Sequence, residues 1–479
     1  MVANDSLRLG SKVRALRRRD SLSQVALAEK LGISASYLNL IENNRRPLPA
    51  PLLIKLAQLL NVDIGSFATD EDARLVADLL EAFADPLFED QGLTSGDVRE
   101  MASSSATAGR AVLSLYRAYR SARSTADDLS SRITEGEDMG AANRSHVPSE
   151  EVSDLIQRHM NHFPELEAGA EALVKKSKLV IDDLYSGLVR HLEREHGVSV
   201  HIARGGAERG TLRRFEPDKK LLTLSELLPT RSRTFQLAYQ VGLLEQHKTI
   251  DVLVSDIYLT TNESRALARV ALANYVAGAI LMPYAQFQKA AREERYDIDV
   301  LGRRFRVGFE QVCHRLTTMR RQGAEGVPFH MIRIDVAGNI SKRFSASGIR
   351  IARYSGACPK WNIFAAFLTP GMIRIQVSKM PEGNVFFCLA RTIQKDSGGY
   401  HAQQPVMAIG LGCSIEHAKE LVYSDGVDLQ NPGICIPVGV TCRTCERTDC
   451  EQRAFPSLKS PLVVDENVRG SSLYASPTR

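Results

Sequence analysis

Near its C-terminus the chain sets three cysteines at the spacing Cys442-x2-Cys445-x4-Cys450, with Cys435 a few residues upstream. A C-x-x-C turn aims two sulfurs at one ion, and a third within a short loop can close on it. Arg443, Arg447, Arg453 and Lys459 interleave with them. Positive charge favours thiolates over thiols and offsets the negative charge that four of them bring to a metal. Ligation of zinc or of an iron–sulfur centre is the expected chemistry, and thiolate donors alone do not choose between the two. The fourth ligand must come from elsewhere. Cys358, in the turn-like run 356–362 (GACPKWN), is the first choice, with Cys435 and Cys413 as alternatives. Cys313 and Cys388 read as core residues.

A second set lies on an expected helix from Arg233 to Gln246. Its string, Phe235-Gln236-Leu237-Ala238-Tyr239-Gln240-Val241-Gly242-Leu243, resembles the metal-binding helix F-x-L-A-H-E-x-G-H of small zinc peptidases of the phage-repressor-cleaving type. In those enzymes two histidines one turn apart bind zinc and the glutamate is the general base. Here Tyr239 and Leu243 hold the histidine positions and Gln240 the base position, while Leu272, before Ala273 and Asn274, stands where the third ligand would be. Leucine offers no lone pair, and a glutamine cannot take a proton as a base. The expectation is a peptidase-like domain that is not an enzyme, its cleft kept as a ligand pocket. Tyr239 and Gln240 would then be neutral hydrogen-bonding groups in an apolar wall, beside Leu243.

The third set is at the other end of the chain. From Gln24 to Arg46 the apolar residues Ala26, Leu27, Leu31, Ile33, Leu38 and Ile41 recur at helical spacing. Gly32 falls where a first helix must stop and turn, a position that suits positive φ, and Ser34 can cap the next helix. That layout is a helix-turn-helix. Its second helix, Ser34 to Glu42, offers Ser36, Tyr37 and Asn39 to base edges, with Gln24 and Ser34 also expected at the duplex. Arg45 and Arg46 follow, and Lys12, Arg14, Arg17, Arg18 and Arg19 precede, as phosphate clamps.

These sites need a frame. At 479 residues the chain exceeds a single core, and 44% hydrophobic with 24% charged residues is ordinary for a globular protein. The net charge is only +5, with cations concentrated at the N-terminus, which favours one DNA-binding module over a coat for polyanions. No apolar run reaches the length of a membrane span, and the start lacks the apolar core of a signal peptide. A cytoplasmic protein with no membrane partner is expected, its cysteines thiols or ligands rather than disulfides.

The expected fold is multidomain, with a mainly α N-terminal half followed by α+β domains. Residues 8–67 form the helix-turn-helix domain and 70–196 a helical linker or dimerisation region, broken by a polar stretch at 132–149. A peptidase-like domain follows at 197–325, opening with a small antiparallel sheet and containing one long helix over 262–293. Residues 326–458 form a strand-rich C-terminal domain with the cysteine cluster, and 459–479 a disordered tail. A reader this small usually works on a two-fold site, so a homodimer or higher homo-oligomer is expected.

The tail contains ACPKWN, HAKELVYSDGVDL and CRTCERTDCEQRAFP. With the helix-turn-helix and the peptidase frame, these strings resemble the short-chain fatty acyl-CoA-responsive transcriptional regulators of bacteria. That family includes regulators of propionyl-CoA carboxylase, methylcitrate-cycle and glyoxylate-shunt genes, and the match runs to about Pro456. The resemblance implies a regulator of promoter DNA that binds a short-chain acyl-CoA, propionyl-CoA or acetyl-CoA, in its central and C-terminal domains. In some relatives it also implies an iron–sulfur cluster. Here a 4Fe–4S centre on Cys358, Cys442, Cys445 and Cys450 is expected, with zinc as the fallback. The alternative function is a redox-responsive regulator in which the cluster is the sensor.

Coenzyme A demands cations for its phosphates, partners for its pantetheine amides and a small apolar end. Residues Gly338 to Arg343 offer a turn at Asn339 followed by Lys342 and Arg343, and Arg350 and Arg353 follow on the next segment. Arginines grip phosphate bidentately while lysine acts as a point charge. The acyl end is then expected against Tyr239 and Leu243.

Overall fold

The computed structural model describes residues 13–135, 147–203, 211–353, 356–394 and 404–457, apart from 15, 18–21, 43–45, 47, 60–69, 92 and 448, together with Ser472. The expected tail at 459–479 lies, Ser472 excepted, outside the described residues. The chain divides into two compact units. The smaller comprises 1–124, 352–355 and 443–479, and the larger 125–351 and 356–442.

In the smaller unit, α1 (Gln24–Leu31) begins where Ser23 accepts a hydrogen bond from the Ala26 N–H. It ends at Gly32, whose φ of 73° lets its N–H turn back to the carbonyls of Ala28 and Glu29. The hydroxyl of Ser34 accepts from the Tyr37 N–H at 3.1 Å and starts α2 (Ala35–Glu42). Leu27, Leu31 and Leu38 close a core with Val13 and with Leu56 of α3 (Ala50–Leu59). A separate core holds α4 (Asp70–Phe83), α5 (Ser95–Ser104) and α6 (Ala106–Glu135) through Leu75, Leu79, Val98, Leu113 and Tyr116. The stretch expected to be a polar linker is helical at both ends. Residues 132–135 finish α6, 147–149 begin α7 (Val147–Arg158), and 136–146 lie outside the described residues.

The larger unit adds α8 (Pro164–Lys176) and α9 (Leu184–His196), then β1 (Ser199–Ala203), β2 (Arg213–Glu216) and β3 (Leu221–Ser225). The strand order is β1-β3-β2, with β2 antiparallel and β1 parallel to β3. The sheet is therefore mixed, not antiparallel as the sequence suggested. The reason is the strand order: β3 carries the fully buried Leu222 and Leu224 and takes the centre, so β1 pairs with β3 instead of β2, and the two chain reversals between them leave β1 and β3 parallel.

Two helices form the middle of this unit, α10 (Thr230–Glu245) and α12 (Asn262–Leu281), with α11 (His247–Val254) between them in sequence. Gly242 lets them approach closely: a Cβ there would stand 2.9 Å from Val276 Cγ1. The single helix expected over 262–293 is two, α12 and α13 (Tyr284–Glu293), bent by 67°. Pro283 has no N–H to continue the ladder, and its ring clashes with the preceding turn. Then come α14 (Ile298–Arg304) and α15 (Phe309–Thr317).

The other strands of this unit, β4 (His330–Asp335), β5 (Ile340–Ser345), β6 (Arg374–Lys379), β7 (Val385–Gln394), β8 (Val406–Ser414) and β9 (Cys435–Pro437), pair in the order β5-β4-β8-β7-β6-β9. All these pairs are antiparallel except β6 with β9. Among the described residues no single helix is long and apolar enough to cross a membrane.

Candidate functional site

On α2, Ser36 and Asn39 are exposed and Tyr37 is half-buried, with the Arg46 guanidinium 5.6 Å from the Tyr37 ring centroid. Gln24 links the two helices, its amide donating to Asn39 Oδ1 at 3.3 Å and to Glu42 Oε2 at 3.1 Å. Arg45 lies outside the described residues. Glu42, only 2% exposed, was not singled out in the sequence, yet it organises the site. It takes an ion pair from Arg17 at 2.6 Å and another from Arg14 at 3.6 Å. The Glu42 hydrogen bond holds the Arg17 guanidinium above its ordinary value, ahead of the opposing effect of burial. Two arginines grouped with the phosphate clamps thus serve to fix α2.

The larger unit contains a cavity of about 970 Å³. Arg231, Phe235 and Gln236 line it from the first half of α10, Tyr275 and Gly278 from α12, and residues of α14 and α15 from a third side. Arg333 of β4, Lys342 of β5 and Arg391 of β7 close the sheet side. Its cations are partly balanced from within. Glu310 bonds both Arg333 at 2.7 Å and Lys342 at 2.8 Å, and Asp299 bonds Arg391 at 2.7 Å. Apolar wall comes from Phe235, Met282, Phe309 and Ile393. His314 also faces in, and burial, aided by Lys342, pushes its pKa down to about 3, so it is neutral near pH 7. The space suits a ligand with an anionic part and a small apolar part.

Beneath this wall lies a buried ion pair. Arg315 Nη1 and Nη2 meet the two oxygens of Glu167 at 2.5 and 3.0 Å, and both side chains are at most 2% exposed. The Tyr275 hydroxyl donates to Glu167 at 2.7 Å, and Arg315 Nε donates to the Met282 carbonyl at 2.9 Å. That carbonyl lies at the end of α12, where Pro283 supplies no donor. Burial works to raise the Glu167 pKa, but Arg315 and Tyr275 outweigh it and hold it below the usual range.

The residues expected to bind ligand divide. Lys342 lines the cavity; Tyr239, Gln240, Leu243, Asn339, Arg343, Arg350 and Arg353 are not among its walls. Tyr239 and Gln240 lie on the cavity-facing side of α10 but one turn further along. There the Arg213 guanidinium stacks 4.3 Å from the Tyr239 ring centroid, and its Nη1 donates to Gln240 Oε1 at 2.5 Å. Burial lowers the Arg213 pKa and raises that of Tyr239. Leu243 is half-buried against the core. Asn339 closes the β4–β5 turn through a 2.9 Å bond to Asp335, Arg343 pairs with Glu150, and Arg350 is exposed. Arg353 belongs to the smaller unit, where it pairs with Asp78 and its N–H donates to Glu81 at 2.8 Å. Arg231, Arg303, Arg306 and Arg391 were missed because no local spacing joins them; only the fold does.

None of the eight cysteines forms a disulfide. Cys358 and Cys442 fall in the larger unit, Cys445 and Cys450 in the smaller. Thiol donors in a C-x-x-C turn suit a soft metal centre. The loop carrying Cys445 is anchored by the buried Arg453, which donates to the carbonyls of Cys445 and Arg447, and by Ser457, which donates to the Cys445 carbonyl at 3.0 Å.

Comparison with known proteins joins these parts. Residues 13–67 match the helix-turn-helix family, 193–317 the IrrE N-terminal-like domain, and 318–474 the C-terminal domain of short-chain fatty acyl coenzyme A regulators. The cavity draws its walls from both of the latter two stretches. A reading helix attached to such a body defines a helix-turn-helix transcriptional regulator.

The chain is 39% identical over 467 residues to the HTH-type transcriptional regulator PrpR of Mycobacterium tuberculosis, covering 98% of this chain and 95% of that one. It is 38% identical to RamB of the same organism, covering 97% of this chain and 98% of RamB. It is also 39% identical to the propionyl-CoA carboxylase regulator of Cereibacter sphaeroides, covering 97% and 98%. A solved structure of a Mycobacterium tuberculosis transcriptional regulator superposes with a TM-score of 0.66 at 42% identity, covering 69% of this chain and 99% of that one. The chain belongs to the short-chain fatty acyl-CoA regulator family.

Proposed function

We propose that this regulator controls genes of short-chain acyl-CoA metabolism, and that an acyl-CoA bound in the 970 Å³ cavity gates its hold on promoter DNA. The observation that carries the reading is the cavity's composition: cations at Arg231, Arg303, Arg333, Lys342 and Arg391 beside the apolar Phe235, Met282 and Phe309. The cations take the phosphates of coenzyme A, and the apolar wall takes the acyl group. Arg343, Arg350 and Arg353 do not line this cavity and are not among the contacts proposed for it. Propionyl-CoA is the first choice of effector. One methylene is worth only ~1–3 kcal/mol in such a pocket, so acetyl-CoA and butyryl-CoA bind too, more weakly. A ligand shifts the DNA-bound population only by its preference between the two states.

The reader works as a homodimer in the cytoplasm, with Gln24, Ser34, Ser36, Tyr37 and Asn39 at the duplex and Arg45 and Arg46 on phosphates. The domain has no peptidase chemistry: the cation beside Tyr239 and Gln240 is a guanidinium, and neither side chain serves as a base. Cys442, Cys445 and Cys450, with Cys358 as the fourth donor, would hold an iron–sulfur cluster, or zinc in its place, as a structural tie for the C-terminal loop.

Calorimetry with propionyl-CoA, acetyl-CoA and free coenzyme A tests the core of the proposal. Propionyl-CoA should bind more tightly than the free thiol, and Arg303→Ala and Lys342→Ala should each weaken it by about 1.5–3 kcal/mol, the worth of one charge-assisted contact. Equal binding of free coenzyme A and every acyl-CoA, or unchanged affinity in both variants, would overturn it.

A further inference from the structure

We propose that His191, His196 and Glu245 form a site for a divalent cation of the zinc type, separate from both the cysteine loop and the cavity. Their ligand atoms all lie within 4.8 Å of one another. The Nε2 atoms of His191 and His196 stand 3.0 and 3.1 Å from the same oxygen, Oε1 of Glu245. Donors bound to zinc at about 2.0–2.2 Å in a tetrahedral shell lie only a little further apart than this, so the side chains need only small rotations to admit an ion. Two imidazoles and one carboxylate make a donor set that suits zinc, and they leave a fourth position for water.

Three further observations point the same way. The other ring nitrogen of His191, Nδ1, is 2.9 Å from the Ser177 hydroxyl. An Nδ1–H donated to that oxygen leaves Nε2 with its lone pair facing the site, which is how partners behind a metal-bound histidine orient it. Second, α9 ends at His196 and α10 at Glu245, so the site collects two helix C-termini, whose partial negative charge favours a cation. Third, burial is graded: the His191 side chain is 2% exposed, while those of His196 and Glu245 are 21% and 26% exposed. The inner ligand is fixed and the outer two leave an entry path from water. The metal would fasten the last turn of α9 to the last turn of α10, the helix whose first half lines the cavity. Its role is to hold the frame of the peptidase-like domain, on residues the peptidase motif does not include.

The test uses the full-length protein, stripped with a chelator and titrated with Co(II), whose spectrum distinguishes donors. Imidazole and carboxylate ligands give weak visible ligand-field bands, and thiolates add intense near-ultraviolet charge transfer. We expect an equivalent of Co(II) with ligand-field bands alone, displaced by zinc. His196→Asn and Glu245→Gln should each abolish it without altering the charge-transfer signal, and Ser177→Ala should weaken it roughly tenfold. His196 and Glu245 are partly exposed, so their variants should keep the wild-type circular dichroism. Uptake of Co(II) by thiolates only, or an unchanged ligand-field signal in both variants, would overturn the proposal.

Discussion

The helix-turn-helix and the proposed ligand cavity follow opposite plans. On α2 the side chains proposed to meet DNA lie within eight consecutive residues, and their support is near at hand in Ser34, Gly32 and the Glu42–Arg17 pair. The cavity takes its walls from positions between 212 and 406, and it rests on an ion pair whose partners are 148 residues apart. The difference separates two kinds of sensitivity. Exchanging an exposed residue on α2 should change what is read and spare the fold, whereas exchanging a residue beneath the cavity should disturb the fold itself.

The strongest way to break that contrast is at the buried pair. Arg315→Met leaves Glu167 charged and unpaired inside the larger unit, and should cost about 3–5 kcal/mol in urea unfolding. The double exchange Glu167→Leu with Arg315→Met should recover much of the loss, because no lone charge remains. A single-variant cost under about 1 kcal/mol, the level of an exposed pair, would contradict the role assigned to it.

Acid sharpens the same point through His330 of β4. Its ring is buried, with Nδ1 at 2.8 Å from the Ser347 hydroxyl, and burial pushes its pKa from 6.5 down to about 3. The unfolded chain takes up a proton near pH 6.5 that the folded one refuses until about pH 3. Stability is therefore complete above pH 6.5 and lost as pH falls, by roughly 3 kcal/mol between pH 7 and pH 4. A His330→Asn protein should show a flatter acid limb in that window. An identical limb would mean that this histidine does not resist protonation.

On the reader the effects should be smaller and should leave the fold intact. Asn39→Ala should cost roughly 1–3 kcal/mol on its preferred operator and relax preference at one base pair. Arg46→Ala should weaken all sequences alike and reduce the salt slope by about one phosphate contact. If Asn39→Ala flattened the salt slope and Arg46→Ala altered base preference, the two roles would have to be exchanged.

What could be read in the sequence follows the same division. Gly32, Ser34 and the apolar spacing around them report local backbone needs, so the reader was legible residue by residue. The peptidase frame was legible too, since Phe235, Leu237, Ala238 and Gly242 record packing along one helix. Tyr239 and Gln240 marked the correct side of α10 but missed the cavity by a turn, because Arg213 arrives from another strand and covers them. The sequence also could not show that Arg343 would be taken by Glu150, nor that the most apolar strand, β3, would displace β1 from β2. Partners distant in the chain decided each of these.

The smaller unit's chain path has a consequence for how the protein is made. It begins at the N-terminus but takes back residues 352–355 and 443–479, so the ribosome delivers it in instalments. The buried Glu81 of α4 gains the Arg353 N–H as a donor only after 272 further positions in the chain, and Arg443 donates to the Ala84 carbonyl later still. At a translation rate of roughly 5–20 residues per second, α4 waits on the order of ten seconds to a minute for these contacts. The helix-turn-helix core, closed by residues 13–57, needs none of these late contacts. A fragment cut before Arg353 should therefore keep a folded reader joined to a loosened α4, and a regulator truncated there would bind DNA without the segments that complete its own domain.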